Sequence, residues 1–332
     1  MNRREVIKSG LLAGTLSLVP FSNAFAGIKK RNINPENDFS GYKKLKLGEL
    51  DLFILTDGFI HEKNLTSFAP RGNVSELKNI LKQNFRADDY IDMAMNILLV
   101  KTKDRLILLD TGMGIFADST TGFLLKSLAK AGFSPNDITD IFLSHAHPDH
   151  IGGVVDKQNN LVFPNAKIFI SKIEYDFWLQ ATIKDFGNSA LKEQPEFLNQ
   201  IIPPIQNILK TIKPKLNFFD LNQTLYDNFR FQLAPGHTPG LTVMTISSGN
   251  EKLLYIADLI HSDVVLFPHP DWGYFGDTDL DIATSSRIKL LEQLSETKAR
   301  AFAYHLPWPG LGFTKKEPSG KGFRWFPESF MM

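Results

Sequence analysis

The chain has 332 residues, of which 43% are hydrophobic and 22% are charged, and its formal net charge is +1. This is an ordinary globular composition, and the near-neutral charge does not indicate a nucleic acid or an anionic membrane surface as partner. The sequence contains no cysteine, which excludes disulfides, thiolate metal ligands and cysteine nucleophiles. Any metal site must therefore use His, Asp and Glu side chains.

The first 26 residues have the pattern of an export signal. Arg3-Arg4 is followed by a short apolar run from Leu11 to Val19, and Ala24-Phe25-Ala26 supplies the small residues of a cleavage site. The apolar run is too short to span a bilayer. The arginine pair resembles a twin-arginine signal, with general secretory export as the alternative. We expect cleavage after Ala26 and a periplasmic mature protein with no membrane anchor.

Residues 27–41 are polar and basic and are predicted to form a linker, and residues 42–332 are predicted to form one domain. Along this domain, short apolar runs alternate with turn signals and with a few segments of helical spacing. Predicted strands cover Leu50 to Leu55, Asn96 to Val100, Leu106 to Leu109, Ile141 to Leu143, Ala166 to Ile170, Phe231 to Ala234, Leu241 to Ile246, Leu253 to Ile256 and Ala301 to Tyr304. Turns are predicted at Asp57-Gly58 and Asp110-Thr111-Gly112, and helices over Phe123 to Ala131 and around Leu291. Strands interleaved with helices indicate a layered α/β architecture.

A helical insert is predicted around residues 182–217. Pro203-Pro204 precedes Ile205, Ile208 and Ile212 at helical spacing, so the prolines are expected to begin a helix. The insert is either a helical excursion packed on the core or a lid over a pocket.

The segment His145-Ala146-His147-Pro148-Asp149-His150 contains four side chains of metal-ligand type within six residues. It directly follows a predicted buried strand, and loops fixed by a rigid sheet are where ligand-binding residues are usually placed. Packed into a core, three imidazoles and a carboxylate would need partners for many polar atoms. The spacing therefore predicts a metal site.

Three further residues of ligand type each follow another predicted apolar strand. These are His237 in a Pro-Gly-His-Thr-Pro-Gly turn, Asp258 and His305. The remaining histidines, His61, His261 and His269, are interpreted as ordinary residues, with His261 the best candidate for a residue that contacts a ligand. Asp110 either orients a ligand histidine or caps its turn.

This order of His-x-His-x-Asp-His, a lone His, an Asp and a final His resembles the metallo-β-lactamase superfamily over residues 42 to 328. The resemblance implies a four-layer αββα sandwich with the site at one edge of the two sheets. It assigns His145, His147 and His237 to one metal and Asp149, His150 and His305 to a second, with Asp258 bridging both.

Imidazoles and carboxylates suit zinc, iron or manganese, and two divalent ions, with zinc preferred, are expected. Two such ions about 3.5–4 Å apart can share a hydroxide that serves as the nucleophile. Asp149 and Asp258 are therefore predicted to be catalytic as well as ligands. Asp149 is, by analogy with the family, also a proton shuttle to the leaving group.

Within the superfamily the chain resembles methyl parathion hydrolase and related lactonase-like enzymes. Leu45-Lys46-Leu47-Gly48-Glu49-Leu50, Asp176-Phe177-Trp178-Leu179 and the tail around His305-Leu306-Pro307-Trp308-Pro309-Gly310 carry this resemblance. It implies hydrolysis of small neutral or apolar lactones, aryl esters or organophosphate triesters in an aromatic pocket. The predicted pocket residues are Phe116, Trp178, Phe186, Phe197 and Trp272. The aromatic segment 267–275 departs from that group and is either core packing or pocket lining.

Other functions stay open. A β-lactamase is disfavoured because those enzymes resemble this pattern but lack the bridging Asp. Relatives that act on thioesters share the seven ligands, although a charged substrate favours a basic patch, and no dense Lys/Arg cluster follows the linker. An exported metal-binding protein without turnover is the non-catalytic alternative. The sequence does not determine the natural substrate or whether the chain is a homodimer.

Overall fold

Two seven-stranded sheets form the centre of the structure, a computed structural model that describes residues 38–330. The predicted signal peptide, residues 1–26, and most of the predicted linker lie outside the described residues. The first sheet consists of β1 Tyr42–Leu47, β2 Leu50–Glu62, β3 Ile91–Lys101, β4 Leu106–Leu109, β5 Asp140–Phe142, β6 Lys167–Ile170 and β7 Leu216–Phe218, in this spatial order. The second consists of β8 Thr224–Leu225, β9 Phe229–Leu233, β10 Thr242–Ser248, β11 Glu251–Tyr255, β12 Ala301–Phe302, β13 Leu311–Lys316 and β14 Phe323–Pro327, again in chain order.

Helices pack against the two sheets and lie in the loops between their strands. They are α1 Leu65–Phe68, α2 Val74–Gln83, α3 Leu124–Lys130, α4 Pro148–Ile151, α5 Lys172–Gln180, α6 Pro195–Ile212 and α7 Leu280–Thr297. Helix α3 packs on β2 and α7 packs on β13. Between the sheets, the ring of Phe142 on β5 lies 5.0 Å from that of Phe229 and 5.5 Å from that of Phe231 on β9, measured between ring centroids. The predicted αββα sandwich is confirmed.

Strand direction brings several loops to one edge of the sandwich. Strands β4 to β7 run parallel in the first sheet. In the second sheet, β9 and β11 are both antiparallel to β10, and β12 is parallel to β11. The carboxyl ends of β4, β5, β9, β11 and β12 are therefore the ends at which side chains from both sheets can meet.

Two local predictions differ from the structure. The Asp57-Gly58 pair was expected to end a strand, but β2 continues through it with a register shift between Thr56 and Phe59. The cause is tertiary, because Gly58 has φ +111° and its α-carbon faces the carbonyl oxygen of Thr120, where a Cβ would come within 1.9 Å. The strand therefore bulges rather than turns.

Helix α6 begins at Pro195 rather than at the proline pair, so Pro203 and Pro204 lie inside it. An interior proline removes a helical hydrogen bond and usually breaks the helix. Here the apolar face is continuous on both sides of the prolines, with Leu198 and Ile205 both fully buried. Burial of this face holds the helix together where local propensity would end it. Among the described residues, no helix combines the length and apolar character that crossing a bilayer requires.

Candidate metal centre

The predicted six-residue motif forms a tight loop at the carboxyl end of β5. His145 and His147 lie in the loop itself, and Pro148 opens the single-turn helix α4, which carries Asp149 and His150. Proline suits the first helical position because its missing N–H is not needed there. The turn directs four side chains toward one point at the edge of the first sheet.

The second sheet supplies the other three ligand candidates. His237 lies in the loop between β9 and β10, Asp258 in a 3₁₀ turn, Ala257–Leu259, after β11, and His305 just beyond β12. Ala257 has φ +44°, a conformation that a residue with a side chain adopts at a cost in strain energy. The structure thus brings all seven predicted ligands to the edge where the two sheets meet.

The seven side chains form two groups that share Asp258. One contains His145, His147, His237 and Asp258, the other Asp149, His150, Asp258 and His305, and within each group the candidate ligand atoms lie within 4.8 Å of one another. Zinc ligands stand about 2.0–2.2 Å from the ion, so atoms around one tetrahedral ion are about 3.3–3.6 Å apart.

The observed distances agree with this expectation. His237 Nε2 lies 3.3 Å and His145 Nε2 3.7 Å from Asp258 Oδ2. His305 Nε2 is 3.1 Å from Asp149 Oδ2, and His150 Nε2 is 3.0 Å from Asp258 Oδ1. Both atoms of the last pair are buried and have no hydrogen-bond partner. Such orphaned polar atoms are costly unless a ligand satisfies them, so the donor set fits two divalent cations.

Four of the imidazoles are held by their Nδ1 atoms and present Nε2 to the centre. Their Nδ1 atoms lie 3.0 Å from the Ser144 hydroxyl (His145), the Asp110 carboxylate (His150), the Asp277 carboxylate (His237) and the Ala94 carbonyl (His305). Such contacts fix the tautomer and ring orientation of a metal ligand. His147 instead faces the centre with Nδ1, which is 2.8 Å from His237 Nε2.

The electrostatics of the centre favour positive charge between the side chains. Burial alone would raise the pKa of Asp258, but His150 and His305 hold it well below its usual range. Burial would lower the pKa of His150, yet Asp258, Asp149 and Asp110 raise it well above normal. Burial holds the pKa of His145 and of His147 well below the usual value. Ionised carboxylates beside imidazoles are what a divalent cation requires, and a bound cation competes with protons for the imidazole nitrogens.

Asp110 and His261 both contact this centre. Asp110, at φ +64°, accepts hydrogen bonds from the Ser144 amide and hydroxyl and from Tyr255, and it contacts His150. It therefore contacts the imidazole of a candidate ligand. His261 is buried, and its Nε2 is 3.1 Å from Asp258 Oδ2. His61 pairs with Asp92 and His269 stacks on Trp272, both apart from the two ligand groups.

Glu174 joins two ligand loops and was missed by the sequence analysis. This fully buried carboxylate on α5 accepts the Ala146 amide at 2.9 Å and the Trp178 indole N–H at 2.7 Å through one oxygen, and the Gly240 amide at 2.9 Å through the other. Ala146 lies between His145 and His147, and Gly240 follows His237 by three residues. A Cβ on Gly240 would come within 2.3 Å of the Glu174 amide nitrogen, so only glycine permits this approach.

A cavity of about 400 Å³ opens onto the centre. Its floor contains Asp149 and Asp258, and its walls are mostly apolar, with Met113, Phe116, Leu191, Phe197, Ile201, Tyr274 and Phe275 among them, while Glu62 and Gln200 add polar groups. Two of the five predicted pocket residues, Phe116 and Phe197, thus line it.

The other three lie outside the cavity lining. Trp178 and Phe186 are fully buried and pack together, and Trp178 stands edge-on to His147 at 5.6 Å with its N–H bound to Glu174. Trp272 packs against Gly72 and stacks on His269. Trp178 therefore supports His147 from behind with Phe186 packed against it, whereas Trp272 packs apart from both ligand groups. The aromatic segment 267–275 contributes to both core packing and pocket lining. Phe267 lies in the core, and Tyr274 and Phe275 line the cavity.

A family model described as the metallo-beta-lactamase superfamily matches residues 92–305. This span includes all seven ligand candidates and part of each sheet, from β3 to β12. The chain belongs to the metallo-β-lactamase superfamily, and its predicted class, a metal-dependent hydrolase of that family, is confirmed.

Three individual relatives show which hydrolases of the family this chain resembles. A solved structure of AidC, a dizinc quorum-quenching lactonase in complex with the product N-hexanoyl-L-homoserine, is 78% identical, with a TM-score of 0.88 over 89% of this chain and 100% of that one. The hydrolase AbOPH of the beta lactamase superfamily is 27% identical with a TM-score of 0.79, again over 89% and 100%. An N-acyl homoserine lactonase of Bacillus cereus is 24% identical over 72% of this chain and 91% of its own length.

Proposed function

We propose that the chain hydrolyses the lactone ring of N-acyl homoserine lactones with two bound divalent metal ions, zinc being the preferred ion. The observation that carries this proposal is the apolar cavity that ends on the two ligand groups. A substrate with a small polar ring and an acyl chain matches a cavity with a polar floor and apolar walls. The high identity to AidC, a dizinc lactonase, supports the same choice.

The seven ligands would hold the ions, which when bound lower the pKa of water and polarise the ester carbonyl. The chain's own residues orient the substrate and transfer the proton. The cavity walls orient the acyl chain and exclude water from it, so that the ring reaches the ligand groups at the floor of the cavity. Attack by water breaks the ring C–O bond, the new acid loses its proton, and the ring oxygen must gain one. Asp149 lines the cavity, with 14% of its side chain exposed, and it is ionised, so it can take up a proton from the attacking water and pass it to the ring oxygen.

The test is a panel assay of the metal-loaded protein. N-Hexanoyl homoserine lactone should be turned over with release of one acid equivalent, and chelated protein should be inactive. The same panel contains a γ-lactone, a δ-lactone, an aryl ester, a phosphotriester, a thioester and a chromogenic β-lactam. If none is hydrolysed while two ions are bound, the chain is a metal-binding protein and the proposal fails.

Aryl ester and phosphotriester hydrolysis are proposed as secondary activities of the same site. The aromatic rings at the cavity, Phe116, Phe197 and Tyr274, are the observation that favours them, because an aryl leaving group packs well on such walls. We expect kcat/KM for both substrates to be lower than for the acyl homoserine lactone. Equal or higher values would make the lactone the secondary substrate.

We also propose that the protein is exported through its twin-arginine signal. Arg3→Lys with Arg4→Lys should leave the precursor in the cytoplasm, because the arginine pair is what the export receptor recognises. Cell fractionation measures this. Normal periplasmic delivery of the double variant would exclude the twin-arginine route and leave general secretory export.

A further inference from the structure

Helix α7 carries a buried arginine that the reaction as described does not use. Arg287 is only 1% exposed, and its guanidinium donates three hydrogen bonds to three separate segments. Nε donates to the Leu259 carbonyl at 2.7 Å, Nη1 to the Pro270 carbonyl at 3.0 Å and Nη2 to Asp277 Oδ2 at 2.8 Å. Burying a charge is costly unless it is fully paired, so this arrangement is stable only with the acceptors in place.

Each acceptor belongs to a segment that forms the site. Leu259 follows Asp258, the carboxylate shared by both ligand groups, in the same 3₁₀ turn. Asp277 contacts His237 Nδ1 through its other oxygen at 3.0 Å.

Pro270 begins the stretch that leads to Tyr274 and Phe275 in the cavity wall. The Tyr274 amide also donates to Asp277 Oδ2 at 3.0 Å. The guanidinium therefore touches the supports of two metal ligands and of one substrate-binding wall.

We infer that Arg287 is a positioning residue that couples the metal centre to the wall of the substrate cavity. Only the part of this inference that concerns substrate binding rests on the proposed function. Because one rigid fork holds all three segments, the wall and the ligands His237 and Asp258 keep a fixed spacing. A lysine ammonium is a compact point charge and cannot reproduce this planar, three-way geometry.

A second arginine shows what a purely structural pair looks like. Arg300 donates to the Glu328 carboxylate through Nε at 2.6 Å and Nη2 at 2.9 Å. Both of its acceptors belong to one side chain, and neither residue lines the cavity or belongs to a ligand group. Arg300→Lys is therefore the matched control, because it loses the same fork geometry without touching the site.

The test compares Arg287→Lys with Arg300→Lys in the holoenzyme. We expect Arg287→Lys to release metal to a chelator about 10–100-fold more readily than wild type, the range typical for the loss of a group that supports a metal ligand. The visible spectrum of the cobalt-substituted variant should change, and KM for N-hexanoyl homoserine lactone should rise more than kcat falls. Arg300→Lys should lower only the melting temperature.

Wild-type metal retention, cobalt spectrum and KM in folded Arg287→Lys would overturn the inference. If that variant does not fold, Arg287→Gln, which leaves Asp277 and its contact to His237 in place, is measured instead with the same expected and contrary results. If neither folds while Arg300→Lys does, the pair is a folding element and the positioning role is rejected. If wild-type protein hydrolyses no lactone, the proposed function fails, but metal release and the cobalt spectrum still decide the role of Arg287.

Discussion

The two ligand groups share Asp258 but differ in ligand chemistry and enclosure. The first adds three imidazoles, His145, His147 and His237, all buried and supported from behind by Glu174, Trp178 and Asp277. The second adds Asp149, with 14% of its side chain exposed to the cavity, together with His150 and His305. The first group is therefore the more enclosed of the two, and the second combines more negative charge with access to substrate.

The largest effect is expected from the residue that both groups share. Asp258→Asn keeps the shape of the side chain but removes one negative charge from both groups. Loss of a supporting partner alone typically costs about 10–100-fold, so removal of this shared ligand should reduce lactone turnover by at least about a hundredfold. Steady-state kinetics and metal analysis measure this.

Asp140→Asn is the matched control, since Asp140 is fully buried but pairs with Arg105 and Tyr226 instead of a ligand. Circular dichroism should show both variants folded. Wild-type turnover in Asp258→Asn with both ions still bound would exclude the shared role.

The next largest effect is expected on metal content when one ligand of either group is removed. Wild-type protein should carry close to two ions, and His147→Ala should lose at least one, because an ion with three protein ligands in place of four is held less tightly. His305→Ala should lose the ion of the other group. Elemental analysis of folded, unchelated protein provides the measurement, and one ion or none in the wild type would contradict the two-ion site.

A smaller effect is expected where a side chain supports a ligand without binding metal. Glu174 accepts hydrogen bonds from three N–H donors, those of Ala146, Trp178 and Gly240. In Glu174→Gln, the side-chain NH₂ group must face at least one of these donors, so that hydrogen bond is lost. We expect metal release from the first group to accelerate by about 10–100-fold with the second group little affected. Timed chelation with a colorimetric chelator resolves two phases, and Glu328→Gln is the control. A single phase identical to wild type would show that Glu174 does not position the first group.

The smallest effect concerns the cavity wall, outside both groups. Phe197 lines the cavity but remains 38% exposed, so truncation to alanine removes only part of the apolar contact with an acyl chain. A loss of about 1 kcal/mol, or about fivefold in KM, is expected for a hexanoyl substrate. A short-chain lactone should be affected less. Phe313→Ala, on β13 and 39% exposed, is the matched control with no expected change.

The sequence alone predicted the candidate ligands and the architecture, because both predictions depend on local pattern. His145, His147, Asp149 and His150 lie within six residues, and each remaining ligand directly follows an apolar strand. Strands with period-two or continuous apolar runs can be recognised from the sequence. Residues at the carboxyl ends of such strands meet at one edge of a layered sheet. The core segments of the strands β4, β5, β9 and β11 could therefore be predicted within a few residues.

Only the tertiary structure decided which side chains support the ligands and which face the cavity. Glu174 and Arg287 are single charged residues on helices, and nothing in their sequence neighbourhood distinguishes them from solvent-exposed charges. Their roles arise because folding brings amides, carbonyls and carboxylates from distant segments into the space around them. For the same reason Trp178, which matched a pocket residue by position, lies behind His147, whereas Tyr274 reaches the cavity. Burial depends on the whole packing arrangement, so a pattern along the chain predicts the candidate ligands but not the side chains that support them.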